Sequence, residues 1–355
     1  MKQYKQLLQD IIDRGVWKEA RQGIRCLSLF AYPIEFNLQD GFPLLTMKKM
    51  FFKTIVKEWL WMFKGNTDAS GLIENNVNVW NGDVYSKYKF QMQKWLTDDD
   101  MHNFMQWSDL DENDAIAIEN IYSKEEFIDL LKKDRTVREF WGKRIAPYGH
   151  NFRNWGIDPR SHGTGIDQIS NIIKAIKDNP YDRRHIISGW DPSTVYDFYL
   201  PQCHSLMIQF NCRPMNFMDR QHAYGNMNIE QKSALNMEAL FDKEGVPKFY
   251  LDMFTYQRSC DTPLGVPFNI VQAGLMLSIF AQQTNMVPGK VTYVFGDVHI
   301  YENQLESVKE FLKREPKQLP LLALRKKDKI DHYDAEDFEI LNYDPHPKFD
   351  FILTT

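Results

Sequence analysis

KFYLDMFTYQRSCDTPLGVPFNIVQAGLMLSIFA, residues 248–281, decides the fold. Its opening run, 248–258, is rich in aromatic residues and predicts a strand. A turn containing Pro263 and Gly265 follows. From Phe268 to Ala281 the chain is apolar except where Asn269 and Gln272 interrupt it, which predicts a buried helix too short to span a bilayer. Further strands fit 290–296 and 321–325 downstream, and 184–190 and 204–212 upstream. Ile166, Ile169, Ile172, Ile173 and Ile176 fall on one helical face, and that helix ends before Pro180. Residues 25–37 (RCLSLFAYPIEFN) read as strand and 52–64 as helix, with Ile55, Trp59, Met62 and Phe63 on one side and Glu58 nearby. Tyr4, Leu7, Leu8, Ile11 and Ile12 give an N-terminal helix that Gly15 ends, so this segment is no signal peptide. Strands mixed with long helices predict an α+β or mixed α/β domain.

Two stretches differ from that pattern. Residues 81–143 are rich in Asp, Glu, Met and Trp, and 213–246 are polar and Met-rich. Both read as insertions on a scaffold. The 355 residues carry a formal net charge of −5, with 43% hydrophobic and 26% charged residues. That balance argues against a broad nucleic-acid or membrane footprint, so any anionic ligand needs a local arginine cluster. The four cysteines, Cys26, Cys203, Cys212 and Cys260, include no C-x-x-C pair, so no metal site is expected. Few cysteines in a long chain fit a reducing compartment, and the expectation is a cytoplasmic protein.

Four segments carry chemistry. In LPQCHSLMIQF, 200–210, Cys203 stands at the mouth of a strand. Strand neighbours point to opposite faces, so His204 cannot serve as its base by adjacency alone. NPYDRRHIISGWD places Arg183 and Arg184 at the start of one strand, and YQRSCD places Arg258 and Ser259 at the end of another. The guanidinium fork matches phosphate oxygens, and a nearby Arg lowers a thiol pKa. For both Arg258 and Ser259 to reach one phosphate, that strand must end or bend there. Asn269, at the start of the apolar helix, offers the acceptor and donors that suit the O4 and N3–H edge of uracil, or else a helix cap. His299 and Tyr301, two apart in VFGDVHIYENQ, share one face of a strand and suit a sugar hydroxyl.

Taken in order, FNLQDGFPLLTMKK, IVKEWLW, ENNVNVW, PYGHNFRNWG, DQISNIIKAIKDNPYDRRHIISGWD, QCH, YQRSCDTPLGVPFNI, FGDVHIYENQ, REPKQLP and NYDPHP resemble the thymidylate synthase family. The motifs cover roughly 1–80, 144–212 and 247–355. The resemblance implies an α+β, three-layer fold on a large twisted mixed sheet, with the sheets of two subunits packed back to back. It implies one catalytic domain over 1–355, interrupted at about 81–143 and 213–246. It also implies dUMP as substrate and 5,10-methylenetetrahydrofolate as cosubstrate. By matching position, Cys203 is similar to the nucleophile that attacks C6. Arg21, Arg258 and Ser259 match phosphate ligands, and Arg183 and Arg184 match ligands given to the partner of an obligate homodimer. Asn269 matches the uracil reader, and His299 and Tyr301 the ribose contacts. Glu58, Tyr148 and His204 match the proton-relay region. Lys48, Trp80, Asp261 and the tail ending at Thr355 match folate-side positions.

Four positions depart from the family pattern. Gln202 replaces the Pro before the nucleophile. Asp83 replaces a second Trp three places after Trp80. Gln304 replaces a His after the HIY motif, and the tail ends Leu353-Thr354-Thr355. Several of these lie where the family shields its exocyclic intermediate from water. The resemblance therefore leaves two enzymes, a dUMP methylase and a dUMP hydroxymethylase, with a non-catalytic nucleotide- or RNA-binding relative as the reading from another class.

Overall fold

The computed structural model describes residues 1–20, 23–97, 121–161, 163–226 and 237–353. It is an α+β fold whose centre is a six-stranded sheet. The strands are β1 (Val16–Glu19), β2 (Arg25–Asn37), β3 (Ile186–Ser188), β4 (Met207–Pro214), β5 (Phe249–Asp261) and β6 (Val287–Tyr301), in the order β1-β2-β6-β5-β4-β3. Only β5 and β6 run parallel. A parallel pair needs a crossover, and the apolar helix Val266–Gln283 supplies it.

The N-terminal helix α1 is Lys2–Arg14, α2 is Phe52–Phe63 and α3 is Ser70–Glu74. Next come α4 (Asn81–Thr97), α5 (Lys124–Lys133), α6 (Arg135–Gly142), α7 (Tyr148–Arg153) and α8 (Gln168–Asp178). The remaining helices are α9 (Phe217–Asn226), α10 (Met237–Lys243), the crossover α11 (Val266–Gln283) and α12 (Leu305–Phe311). A small hairpin pairs β7 (Leu321–Leu324) with β8 (Phe338–Leu341).

One sheet face is the core. Ile208, Phe210, Leu251, Met253, Val291, Tyr293 and Phe295 alternate inward and are buried. Phe210 stacks on Phe280 of α11 with ring centroids 4.5 Å apart. The opposite face carries Met207, Gln209, Phe254, Tyr256, Thr292 and Val294, which stay partly or fully exposed. Phe30 on β2 is 75% exposed. Tyr88, Phe127 and Trp141, from the first stretch read as an insertion, belong to the main core cluster, whereas Tyr224, Phe241 and Val246 form a small cluster of their own.

Several local readings change in the structure. Ile166 is 54% exposed and pairs with Trp155 ahead of α8, so the apolar stripe begins at Ile169. Asp167 caps that helix by accepting from the Ser170 amide at 3.0 Å. Gly15 does end α1, but at φ −66, outside the left-handed region. It is needed because a Cβ would meet the Ile11 carbonyl and the Leu27 side chain. The strand predicted at 290–296 runs on to Tyr301, and the 204–212 strand starts only at Met207. Cys203 therefore lies in a loop, and strand alternation does not govern how it and His204 point. Among the described residues, no helix is long and apolar enough to cross a membrane.

Candidate active site

The loop 201–206 is built around Gln202 and Ser205. Ser205 has φ 54, a left-handed conformation that turns the chain sharply before β4. Gln202 is 1% exposed and donates from Nε2 to the His204 and Ser205 carbonyls, both at 3.1 Å. Its Oε1 accepts from Asn151 Nδ2 at 3.1 Å, and Asn151 also donates to the Gly189 carbonyl at 2.7 Å. Gly189 must be glycine, since a Cβ would collide with the Ser205 carbonyl oxygen. Gln202 thus serves the turn directly, because its amide satisfies two of the turn's carbonyls.

That turn presents Cys203. Of the four cysteines it is the one not buried; Cys26, Cys212 and Cys260 are in the core. Burial raises the pKa of all three, that of Cys212 to about 11. Desolvation also raises the Cys203 thiol, but the Tyr148 hydroxyl and Arg258 oppose that rise. The Tyr148 hydroxyl accepts from the Cys203 amide at 3.1 Å and lies 3.2 Å from Sγ, to which it donates when the thiol is ionised. Arg258 donates from Nε to the Gln202 carbonyl at 2.9 Å and lies 5.7 Å from the Trp190 ring centroid. Its amide donates to the Cys203 carbonyl at 2.9 Å. Arg258 and Ser259 therefore sit within β5, which continues to Asp261 rather than ending at Arg258. The ladder loosens at Gly296, opposite Arg258, where a Cβ would meet the Arg258 carbonyl at 2.7 Å.

His204 stacks on Tyr148 at 4.4 Å between centroids, and its Nδ1 lies 3.1 Å from Ser205 Oγ. Burial drops its pKa to about 3, so it is neutral at ordinary pH. The adjacent imidazole is no store of positive charge for the thiolate. That role falls to Arg258 and the tyrosine proton.

A second wall comes from α2 and α11. Glu58 accepts from Trp80 Nε1 and from Gln272 Nε2, each at 3.0 Å. Its pKa is pushed up to about 7, chiefly by desolvation and further by Asp83, while the two donors oppose the rise. Trp80 in turn meets Tyr148 at 6.4 Å between ring centroids. Asn269 stands one helical turn before Gln272. Its Oδ1 accepts from Gln257 Nε2 at 3.1 Å, and Gln257 Oε1 accepts from the buried Tyr293 hydroxyl at 2.9 Å. This fixes which end of the Asn269 amide is the donor.

Strand register aligns the remaining groups. Ser259 lies opposite Asp297, and Asp261 opposite His299. His299 Nδ1 is 3.2 Å from Asp297 Oδ1, which also accepts from Ser28 Oγ at 2.8 Å, and Lys18 holds the other oxygen at 2.9 Å. Those partners hold the Asp297 carboxyl well below the usual range against its desolvation. The His299 and Tyr301 rings are 5.0 Å apart, as two positions on one strand face should be. On the far side, Lys48 is buried, donates to the Pro263 carbonyl at 3.4 Å and lies 4.7 Å from the Phe351 ring centroid. Desolvation lowers its pKa to about 8. Desolvation also raises the Asp261 carboxyl. Gln304 Nε2 joins that carboxyl, at 3.2 Å, to the Ile352 carbonyl of the tail, at 2.9 Å.

Arg183 and Arg184 are exposed beside the edge strand β3, and Arg184 pairs with Asp182 of its own chain. No described contact joins either arginine to Cys203, Arg258 or Ser259. Arg21 and Thr355 lie outside the described residues. The reading from sequence missed Gln257, Tyr293, Asp297 and Gln272. Two of these had a signal: Asp297 is two before His299 on a strand, and Gln272 is three after Asn269 on a helix.

Tyr148 and Trp80 link the Cys203 thiol to the buried Glu58 carboxylate, with Arg258 beside the thiol, and this is the equipment of a thiol-dependent enzyme class. The family model for thymidylate synthase matches residues 2–355. A thymidylate synthase of Malacoplasma penetrans is 34% identical over 98% of this chain and 97% of its own length. Those of Phytoplasma mali and Listeria monocytogenes are 35% and 32% identical, each over 98% of this chain and at least 97% of their own. The chain belongs to the thymidylate synthase family. The similarity reaches beyond the quoted motifs and spans 81–143 and 213–246 as well.

Proposed function

We propose that this protein methylates dUMP at C5, giving dTMP and dihydrofolate, as one catalytic domain over 1–355 with elaborations at 81–143 and 213–246. The observation that carries the reading is the Tyr148 hydroxyl, aimed at Cys203 Sγ by the Cys203 amide. Cys203 forms a bond to C6 of the pyrimidine, and the C5–C6 π pair moves toward O4 as an enolate. Asn269 Nδ2 donates to that oxygen as its charge grows. Arg258 and Ser259 hold the phosphate, joined by Arg21 and by Arg183 and Arg184 of a second copy. The half-exposed sheet face with Phe254, Tyr256 and Met207 is where that copy packs, which supports a homodimer. His299, oriented by Asp297, and Tyr301 face the ribose. Glu58 accepts the C5 proton, directly or through water.

The folate side fits its group. Asp261 suits the N–H edge of a pterin, Lys48 a carboxylate, and Trp80 an aromatic plane, with Phe351 of the tail closing over Lys48. When bound, 5,10-methylenetetrahydrofolate supplies the one-carbon unit and a hydride. A second reading, hydroxymethylation, is favoured by Asp83. Its carboxyl, pushed up to about 6 mainly by desolvation, stands near Glu58 where the family has an indole. A carboxyl there holds water that an indole would exclude. Product mass with dihydrofolate absorbance tests both. dTMP with stoichiometric dihydrofolate is expected, and 5-hydroxymethyl-dUMP without dihydrofolate would replace the methylase with the hydroxymethylase.

Glu58 gives a pH prediction with opposite signs for turnover and stability. Below about pH 4.5 its carboxyl is protonated in both the folded and unfolded chain. Between 4.5 and about 7 the unfolded chain releases the proton while the folded one keeps it, so stability falls as pH rises through that window. Turnover needs the ionised form and rises as the pH passes through about 7, where the folded chain releases that proton. Glu58→Gln should therefore lower kcat by roughly 10²–10³-fold. It should raise the melting temperature above pH 7 and give no gain below pH 4.5. A melting gain equal at both pH values would show that the carboxyl is not held in its protonated form by the fold.

A further inference from the structure

We propose that Gln272 is a positioning residue that aims the Glu58 carboxylate at the pyrimidine and receives, at its own Oε1, a donor of the proton relay. This rests on the reading of Glu58 as the acceptor of the C5 proton. Gln272 is 4% exposed in the middle of an apolar helix, where an amide has a cost unless it is bonded. Its Nε2 donates to Glu58 Oε2 at 3.0 Å, the orientation that suits the ionised carboxylate, which only accepts. Oε1 is buried and has no hydrogen-bond partner among the described residues. Its donor is committed to Glu58, so what the amide still offers beside the carboxylate is an acceptor. An amide that commits its donor to Glu58 and turns its acceptor to the same side is placed to receive a donor that approaches the carboxylate.

Geometry supports that placement. Trp80 clamps the other Glu58 oxygen at 3.0 Å, so the two donors from α11 and the turn before α4 fix the carboxylate plane. Gln272 lies three residues after Asn269, hence on the same face of α11 as the uracil reader. The Glu58 oxygen, the Gln272 acceptor and the O4–C5 edge are thereby drawn to one side of the ring. A water donating to Oε1 and to Glu58 would carry the C5 proton: the C5–H bond breaks, its pair remains on the pyrimidine, and the proton ends on the carboxylate. The charged groups facing Glu58 are Asp83 from α4 and Cys203 from the loop.

Gln272→Met keeps length and volume while removing donor and acceptor. Tritium release from [5-³H]dUMP should fall about tenfold, the effect of losing one charge-assisted hydrogen bond. The acidic limb of its pH profile should move upward, because the donor that favours ionised Glu58 is gone. Covalent complex formation with 5-fluoro-dUMP and methylenetetrahydrofolate should remain within about twofold, since fluorine at C5 stops the reaction before proton loss. That complex also reports folding. If it fails to form, Gln272→Glu, which removes the donor and sets a like charge beside Glu58, is measured with the same upward shift expected. Unchanged tritium release and an unchanged limb in either folded variant would overturn the positioning role alone. Failure of the wild-type protein to form the covalent complex would instead overturn the enzymatic reading.

Discussion

Cys203→Ala abolishes both turnover and the covalent complex with 5-fluoro-dUMP, with kcat reduced roughly 10⁵-fold or more, as when a nucleophile acting as part of a unit is removed. The expectation follows from how unevenly the fold treats its four cysteines. Desolvation raises all four thiols, but Cys203 is the one not buried, and there the Tyr148 hydroxyl and Arg258 oppose the rise. The Tyr148 hydroxyl and the Arg258 guanidinium stabilise its thiolate, whereas His204, its chain neighbour, is neutral. Cys203→Ser should be nearly as impaired, because a serine needs a base to remove its proton and neither of those partners is one. Mass spectrometry of the denatured complex checks it. An adduct retained by the alanine variant would place the nucleophile elsewhere and remove the basis of the mechanism.

Asn269→Asp reverses the choice of pyrimidine. In the native chain Gln257 Nε2 occupies one lone pair of Asn269 Oδ1, and Tyr293 holds Gln257 from behind. Nδ2 is left to donate to O4, and Oδ1 keeps a lone pair for N3–H. An aspartate presents acceptors at both oxygens. It opposes O4 of uracil and matches the 4-amino group of cytosine. A site whose buried polar groups lose their partner discriminates strongly, so kcat/KM for dUMP should fall roughly 10³–10⁴-fold, while dCMP becomes the better substrate. Competition between the two nucleotides, followed by product mass, measures the switch. Persistence of the uracil preference would mean that Asn269 serves only to hold Gln257 and that another residue reads the base.

Much of the candidate site's local geometry is legible from the chain, for identifiable reasons. His299 and Tyr301 share a face because strand period is two, and the structure brings their rings to 5.0 Å. Asn269 stood out because a carboxamide inside an apolar helix has to be explained. Gln272 carried the same signal, and its helical spacing from Asn269 was there to be read. Cys203 misled in its local setting: the strand pattern reached it, yet the left-handed Ser205 and the Gln202 amide break the strand before Met207. Asp297 and Gln257 are ordinary polar residues in sequence and become positioning groups only through cross-strand register.

The sequence by itself determined the order of the motifs, the α+β alternation of strands and buried helices, and which residue types could meet a pyrimidine nucleotide. These are local properties: periodicity, turn chemistry and the donor and acceptor inventory of single side chains. Only the tertiary structure decided that Tyr148, rather than His204, touches the thiol, that Gln304 ties the tail to Asp261, and that Glu58 is clamped between Trp80 and Gln272. Those contacts join residues from 22 to 214 positions apart around Glu58 alone. The protonation of each group is set by burial among such distant neighbours, because desolvation and hydrogen bonding act through space, whatever the distance along the chain.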